Sequence, residues 1–273
     1  MQDAGEGFEL HTEGPAGVVV ARLLDKKGIS HGFATRLGGV TEGPCASLTF
    51  GSGGQTERQL RTNLERLGLR LGFDMTRLYR VRQVHSADVL VIERAGVDTA
   101  GVASQEADAL VTNVPDHFVA VQTADCVPVL LHAPSASSPA GAAVAAVHAG
   151  WRGIVAGVVE RAVEAMVERF GVEPAATRAA VGPSIGVDAY EVDDDVAAQF
   201  ERFEGVVRRD LGDKPHLELR AAVRQILASC GLASDNVAVT SLSTDRRPDL
   251  FFSYRVQGAD TGRHLSVIGL TAE

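Results

Sequence analysis

Cysteine is scarce in this chain of 273 residues. Only Cys45, Cys126 and Cys230 occur, far apart, so no disulfide framework is read and a reducing compartment is expected. Long apolar runs are also missing, and none reaches the length of a membrane span. The first residues, MQDAGEGFELHTEG, are acidic and polar where a secretory leader would be basic, so no signal peptide is read there. The expected location is the cytoplasm. Basic residues are outnumbered: 26 Lys and Arg face 35 Asp and Glu, for a net charge of −9. That balance argues against a general binder of nucleic acid or of anionic membrane. It leaves room for one phosphate held locally by an arginine or a helix N-terminus. Aromatic residues make up 5% of the chain and include a single Trp, so the place of that Trp is a question in itself.

What is present is ordinary for a folded enzyme: 45% hydrophobic and 22% charged residues, enough length for a sizeable core. Residues 1–16, rich in Gly and acids, read as a flexible N-terminus. Residues 17–273 read as one catalytic domain, without a repeat or a linker. Short strands are expected at 18–24, 29–34, 78–84, 89–93, 108–112, 118–122, 127–132, 143–147, 179–181, 237–241, 251–254 and 265–270. A Lys-Lys-Gly turn separates the first two. Helices are expected at 56–70, 154–170, 192–203 and 219–230, from apolar residues at spacings of three and four. The stretch APSASSPAGA at 133–142 reads as a solvated loop. Strands and helices do not alternate regularly, which disfavours a doubly wound sheet and favours an α/β domain of mixed sheets.

Three stretches share one design. RVRQVHSADV, VAVQTADCVPVLL and AAVAAVHAGWRG each run an apolar strand into a turn with a metal-capable side chain: His85, Asp125 with Cys126, and His148. Strand ends in a sheet protein commonly open into one crevice. Two imidazoles and a thiolate are good zinc ligands, and three protein ligands with an open fourth position is the catalytic pattern. The spacings do not form a compact finger, so spacing alone leaves the bland readings open. A lone strand-end His is commonly a hydrogen-bonded surface group, a lone Cys a small core residue, and Asp125 a turn cap. The last stretch also holds the single Trp. Gly150 and Gly153 bracket a helix start, and Arg152 beside them makes an anion site conceivable. Arg36, in the Gly-rich loop TRLGGVTEGPCAS, is a second candidate anion clamp. GPSIG at 182–186, with Ser184, is a tight turn able to approach a ligand.

At these residues a family resemblance becomes specific. QVHS at 83–86, ADALVT at 107–112, TADCVPVLL at 123–131 and HAGWRG at 148–153 resemble the YfiH family. So do GPSIG followed by YEV at 190–192, and FFSYR at 251–255 followed by GR at 262–263. The family has been called multicopper polyphenol oxidase or laccase-like, and also purine nucleoside phosphorylase with adenosine deaminase activity. The resemblance implies an α/β/β/α layered sandwich of mixed sheets, similar to the catalytic domain of cytotoxic necrotizing factor. It implies zinc ligands at His85, Cys126 and His148. The chain departs from the family pattern at Thr49 after Ser47-Leu48, at GSGGQTE, and at Ser243-Thr244, and loops of this kind shape substrate preference.

The expected function is that of a zinc-dependent purine nucleoside enzyme. Its partners are a small nucleoside and phosphate, with no nucleic acid and no membrane, and the chain is a monomer or weak homodimer. Asp125 is the candidate proton carrier and Arg152 the catalytic anion clamp, aided by Arg36, Gly150, Gly153 and Ser184. Copper is disfavoured: a multicopper site draws on about ten histidines, commonly in His-X-His pairs, whereas this chain has 8 and no such pair. The rival readings are a cysteine hydrolase with Cys126 as nucleophile, including a role in peptidoglycan precursor editing, and a non-enzymatic binding module.

Overall fold

Strand residues here alternate between two buried faces, and that alternation builds the layers. The computed structural model describes residues 2–271 except 4 and 52. In chain order its strands are β1 (Gln2–Asp3), β2 (Phe8–His11), β3 (Val18–Ala21), β4 (Ile29–Ala34), β5 (Leu78–Tyr79), β6 (Val89–Ile92), β7 (Ala109–Thr112) and β8 (Phe118–Thr123). They continue with β9 (Val127–Pro134), β10 (Ala142–Ala149), β11 (Arg178–Val181), β12 (Val207–Arg208), β13 (His216–Leu217), β14 (Val237–Val239) and β15 (His264–Leu270). The helices are α1 (Glu57–Leu71), α2 (Thr99–Ala103), α3 (Trp151–Ala156), α4 (Val158–Phe170), α5 (Asp194–Ala198), α6 (Leu219–Ser229) and α7 (Tyr254–Gln257).

Among the described residues, one sheet has the order β1-β2-β3-β4-β15-β8-β5 and a second the order β14-β11-β9-β10-β7-β6; β12 and β13 pair separately. Both large sheets are mixed: β5 runs parallel to β8, β6 to β7 and β11 to β14, and the other pairs are antiparallel. Along β10, Val144 and Ala146 join the layer between the sheets, while Ala145 and Val147 face the helices. Helices α4 and α6 cover that outer face through Val159, Val163, Met166, Val223 and Ile226. Helix α1 covers the other sheet with Leu64, Leu67 and Leu71 against Val18, Ala34 and Val267. The result is the expected α/β/β/α sandwich. None of its helices, among the described residues, is long and apolar enough to cross a membrane.

Several local expectations are corrected. Phe8–His11, inside the segment read as frayed, pairs antiparallel with β3, and Phe8 and Leu10 are buried. Surrounding glycines and acids masked that two-residue alternation. The long helix expected from 154 begins at Trp151 and is broken by Gly157, whose φ of 90° is left-handed. The strand expected at 251–254 is an irregular stretch leading into α7, and β5 ends at Tyr79 rather than Val84. The helix expected over 192–203 shrinks to Asp194–Ala198.

The layer between the sheets contains buried histidines. His31 Nε2 accepts the Ala21 N–H at 2.9 Å, and His264 Nε2 accepts the Phe252 N–H at 2.7 Å, so both rings are neutral acceptors. Burial pushes His31 and His132 down to about 4 and His264 to about 3. An unfolded chain would protonate all three near 6.5. The unfolded state therefore binds more protons below that pH. Their stability is complete above 6.5 and is lost as pH falls through 4 and towards 3. Each tenfold difference in proton affinity between the two states is worth about 1.4 kcal/mol, so the three together amount to several kcal/mol. Denaturant midpoints at pH 7 and pH 4.5 check this, and an unchanged midpoint refutes it.

Candidate metal centre and active-site cavity

Two turns and one strand end bring the predicted ligands together. Cys126 lies between β8 and β9, two adjacent segments of chain that belong to different sheets. His148 is the penultimate residue of β10, paired with Pro128 of β9, so cysteine and histidine meet at one end of the sandwich. His85 comes from the irregular stretch before β6. Its φ of 60° is unusual for a non-glycine residue, and so is the 90° of Asp125. The ligand atoms of His85, Cys126 and His148 all lie within 4.8 Å of one another, and Cys126 Sγ is 3.9 Å from His85 Nε2.

The residue that assembles this cluster is Asp108, which sequence reasoning passed over inside ADALVT. It is fully buried. Its Oδ2 accepts the N–H groups of Val84 at 3.1 Å and Ser86 at 2.6 Å. Its Oδ1 accepts the N–H of His85 at 3.0 Å and meets His148 Nδ1 at 2.7 Å. A carboxylate only accepts, so Nδ1 carries the proton and Nε2 of His148 is left for a metal. One side chain thus holds the His85 turn in its strained form and sets the His148 tautomer. Burial alone would raise the Asp108 carboxyl, but the His148 contact and the backbone N–H groups hold it below the usual range. For Cys126, burial likewise pushes the thiol up, and the neighbouring His148 and His85 reverse this to about 6. His148 is lowered by burial and raised more by Cys126 and Asp108, to about 9.

Two glycines stand in tight space beside the cluster. A Cβ on Gly150 would sit 2.9 Å from His85 Cδ2 and 3.0 Å from Cys126 Sγ. One on Gly153 would meet Ser86 O at 3.1 Å and Val158 Cγ1 at 3.3 Å. Both predicted glycines therefore stand where backbone must pass close to the ligand-bearing loops.

The cluster forms part of the wall of a cavity of about 680 Å³, a size that suits a small organic ligand. Asp125 lines it, with Oδ1 accepting the Thr244 hydroxyl at 2.6 Å and Oδ2 the Arg255 N–H at 2.6 Å. Arg152, Arg255 and Arg263 line it too, each laid over an aromatic ring: Trp151 at 4.3 Å, Tyr190 at 5.0 Å and Tyr254 at 5.5 Å. Burial, with Cys126 near it, pushes the Tyr190 hydroxyl up to about 12. Gln83 and Gln122, also in the lining, lock together: Gln83 donates to Gln122 O at 2.8 Å and accepts its N–H at 2.6 Å.

Two candidates lie elsewhere. Arg36 is not in the cavity wall; its guanidinium donates to the carbonyls of Ala46 and Pro248 and stacks on Phe252 at 4.5 Å. It is a strut between loops, with Nε, Nη1 and Nη2 each already donating to a backbone carbonyl. Ser184 is fully buried, outside the lining, and its hydroxyl has no partner among the described residues. Sequence reasoning singled out YEV, FFSYR and GR but gave Tyr190, Tyr254, Arg255 and Arg263 no role. The alternation of aromatic and arginine in those motifs was the available signal. Of the departures, Thr49 is buried and accepts the Arg263 N–H at 2.9 Å, so it acts on the cavity from behind. Ser243 is buried and its hydroxyl donates to Asp245, while the adjacent Thr244, which keeps the family pattern, holds Asp125.

A family model described as multi-copper polyphenol oxidoreductase laccase matches residues 30–271. The chain belongs to this family, the YfiH family. A Deinococcus radiodurans protein named purine nucleoside phosphorylase is 38% identical over 245 residues, 89% of this chain and 89% of the relative. A protein named adenosine deaminase RL5, from an unknown prokaryotic organism, is 37% identical over 206 residues, 72% of this chain and 76% of its own. The crystal structure of the Bacillus licheniformis hypothetical protein YfiH matches with a TM-score of 0.86 at 29% identity, covering 96% of this chain and 98% of that one. The YfiH sandwich and its His-Cys-His group, fit to hold a metal ion, are therefore common ground between sequence and structure.

Proposed function

We propose that this YfiH-family protein is a zinc-dependent purine nucleoside enzyme that cleaves nucleosides with phosphate and deaminates adenosine. The observation that carries the reading is the convergence of His85, Cys126 and His148 on one point of a cavity ringed by arginines and aromatic rings. The names of the relatives, purine nucleoside phosphorylase and adenosine deaminase, agree with it.

The donors fit zinc. Tetrahedral zinc with bonds of about 2.1 Å to nitrogen and 2.3 Å to sulfur places its ligand atoms about 3.5 Å apart. The 3.9 Å between Cys126 and His85 is close to that spacing. The Cys126 thiolate would supply the negative charge, and each imidazole would offer one ring nitrogen to the ion, which at His148 takes the place of the Nε2 proton. Bound there, zinc supplies Lewis acidity and lowers the pKa of a water towards about 7. Copper fits less well, since among the described residues of the cavity wall His85 and His148 are the only histidines, far fewer than the multicopper pattern needs.

The chain's own groups do the rest. Trp151, Tyr190 and Tyr254 offer faces on which a purine can stack. Arg152, with Arg255 and Arg263, binds phosphate and orients it towards the ribose anomeric carbon. An oxygen of phosphate forms the new bond to that carbon as the bond to the base nitrogen breaks, and the base nitrogen takes up a proton. In deamination, water adds at the purine carbon bearing the amino group and ammonia departs. Asp125 takes the proton of the attacking water and returns it to the leaving amine, using lone pairs not engaged by Thr244 and Arg255.

The test is direct. Zinc-loaded protein is supplied with inosine and phosphate, and separately with adenosine. Hypoxanthine and ammonia are the expected products; finding neither sinks the reading. A second reading, a cysteine hydrolase, is favoured by the thiol brought down to about 6 beside two imidazoles. It requires active protein free of metal, whereas the leading reading requires zinc at one ion per chain.

A further inference from the structure

The GPSIG turn at 182–186 has no residue in the wall of the metal-bearing cavity, yet it braces one that does. Strands β11 and β14 run parallel towards the metal end of the sandwich, and their pairing persists past both strand ends. Thr240 N–H donates to Val181 O at 3.1 Å, Ser184 bridges Ser243, and Thr244 N–H donates to Ser184 O at 3.0 Å. Arg220 ties down the same stretch, with Nη1 donating to the carbonyls of Thr240 and Leu242 at 3.0 Å each. Ile185 N–H donates to Asp125 O at 3.0 Å. The turn therefore fixes the backbone of Asp125 and that of Thr244 together. The fit is close: a Cβ on Gly186 would stand 3.0 Å from Ser243 Oγ.

Thr244 is buried and lies outside the cavity wall. Its hydroxyl has a single proton, and the bond of 2.6 Å to Asp125 Oδ1 uses it. Asp125 needs such a hold. It is buried, its backbone takes a φ of 90°, and the last torsion of a carboxyl side chain is only broadly restrained. With Oδ1 on the Thr244 hydroxyl and Oδ2 on the Arg255 N–H, the plane of the carboxyl is set. Each oxygen keeps a further lone pair for another partner. Both donors hold their bonds whether or not a proton sits on such a lone pair. Asp125 can thus take up and release a proton without turning.

We infer that Thr244, braced by the GPSIG turn, is the positioning residue that aims the Asp125 carboxyl for deamination; this rests on the reading of Asp125 as the proton carrier. In that reaction water forms the new carbon–oxygen bond and gives one proton to Asp125. The carbon–nitrogen bond breaks as Asp125 delivers that proton to the leaving amine, and the other proton of the water ends on the ring nitrogen of the product. A carboxyl turned out of this line is present but idle, since a misplacement of about 1 Å costs about 100-fold. Phosphorolysis differs. Its attacking oxygen belongs to phosphate, is already anionic and needs no base, so Thr244 has no part in it.

Thr244→Val keeps the shape of the side chain and removes the hydroxyl. In the full zinc-loaded chain, kcat for adenosine deamination is expected to fall roughly 10- to 100-fold, a share of what a placed proton carrier supplies. KM for adenosine, phosphorolysis of inosine and zinc content stay those of the parent. Thr244→Ser, which keeps the hydroxyl, restores kcat. Thr244→Ala removes the same hydroxyl and shows the same split where Val does not fold. Crystals of the variant that lacks the hydroxyl are expected to show the Asp125 carboxyl turned from its place, and an unmoved carboxyl overturns the inference. Deamination at the parent's kcat overturns it too and leaves the nucleoside reading intact. So does an equal fall in both reactions, which marks a part of the general scaffold. A parent that releases no ammonia overturns the deamination reading, and this inference with it.

Discussion

Cys126→Ala is expected to fold and to lose zinc. The side chain is partly exposed and sits in a turn, so its removal leaves no core cavity. What remains is two imidazoles, with no anionic ligand to offset a dication. Changes in groups that only support metal ligands already cost about 10- to 100-fold in affinity. Deleting a ligand that carries the site's charge costs more, beyond about 100-fold, and turnover of nucleoside falls with it. Metal analysis after dialysis, with circular dichroism to confirm the fold, reads this out. Stoichiometric zinc in the variant would refute the assigned ligand set. The same variant separates the rival chemistry. A nucleophilic cysteine predicts lost activity with metal content indifferent to the change, whereas a ligand predicts that the two vanish together.

Cys126 and His148 were legible as candidate ligands because they stand at the ends of the apolar strands β9 and β10, where a single polar group is conspicuous. His85 was legible from a strand expected at 78–84 that ends at Tyr79. The α/β/β/α layers were legible for a related reason: β9 and β10 are apolar on both faces, which demands cover on both sides. Asp108 was not legible. It precedes a strand as an ordinary turn acid would, and its partners are backbone N–H groups that carry no sequence signal. The place of Arg36 outside the cavity lining was not legible, because a Gly-rich loop with an arginine looks the same whether the guanidinium faces solvent or ties down carbonyls of Ala46 and Pro248. The break at Gly157 was hidden by apolar residues that keep helical spacing through it. The pairing of β8 with β15, more than a hundred residues away, depends on tertiary contacts that no local pattern encodes.

Asp108→Asn is expected to weaken both the fold and the metal site, although the side chains have nearly the same shape. Each carboxylate oxygen receives two donors: Val84 and Ser86 on Oδ2, His85 and His148 on Oδ1. An amide must place its own N–H₂ on one of these sides. If it faces Val84 and Ser86, two buried N–H groups lose their acceptor and the His85 turn loosens. If it faces His85 and His148, the imidazole loses the acceptor that keeps Nε2 free, and the ring turns or changes tautomer. Either way at least two hydrogen bonds to a charged group are lost in a site closed to water. The expected cost is about 3 kcal/mol in unfolding free energy. Zinc affinity is expected to fall roughly 10- to 100-fold. Denaturant unfolding of the zinc-free protein isolates the first effect, and competition with a chelator measures the second. An Asn variant that matches the parent in both would remove Asp108 from its place as the residue that assembles the centre. A variant that loses stability alone would confine it to holding the loop.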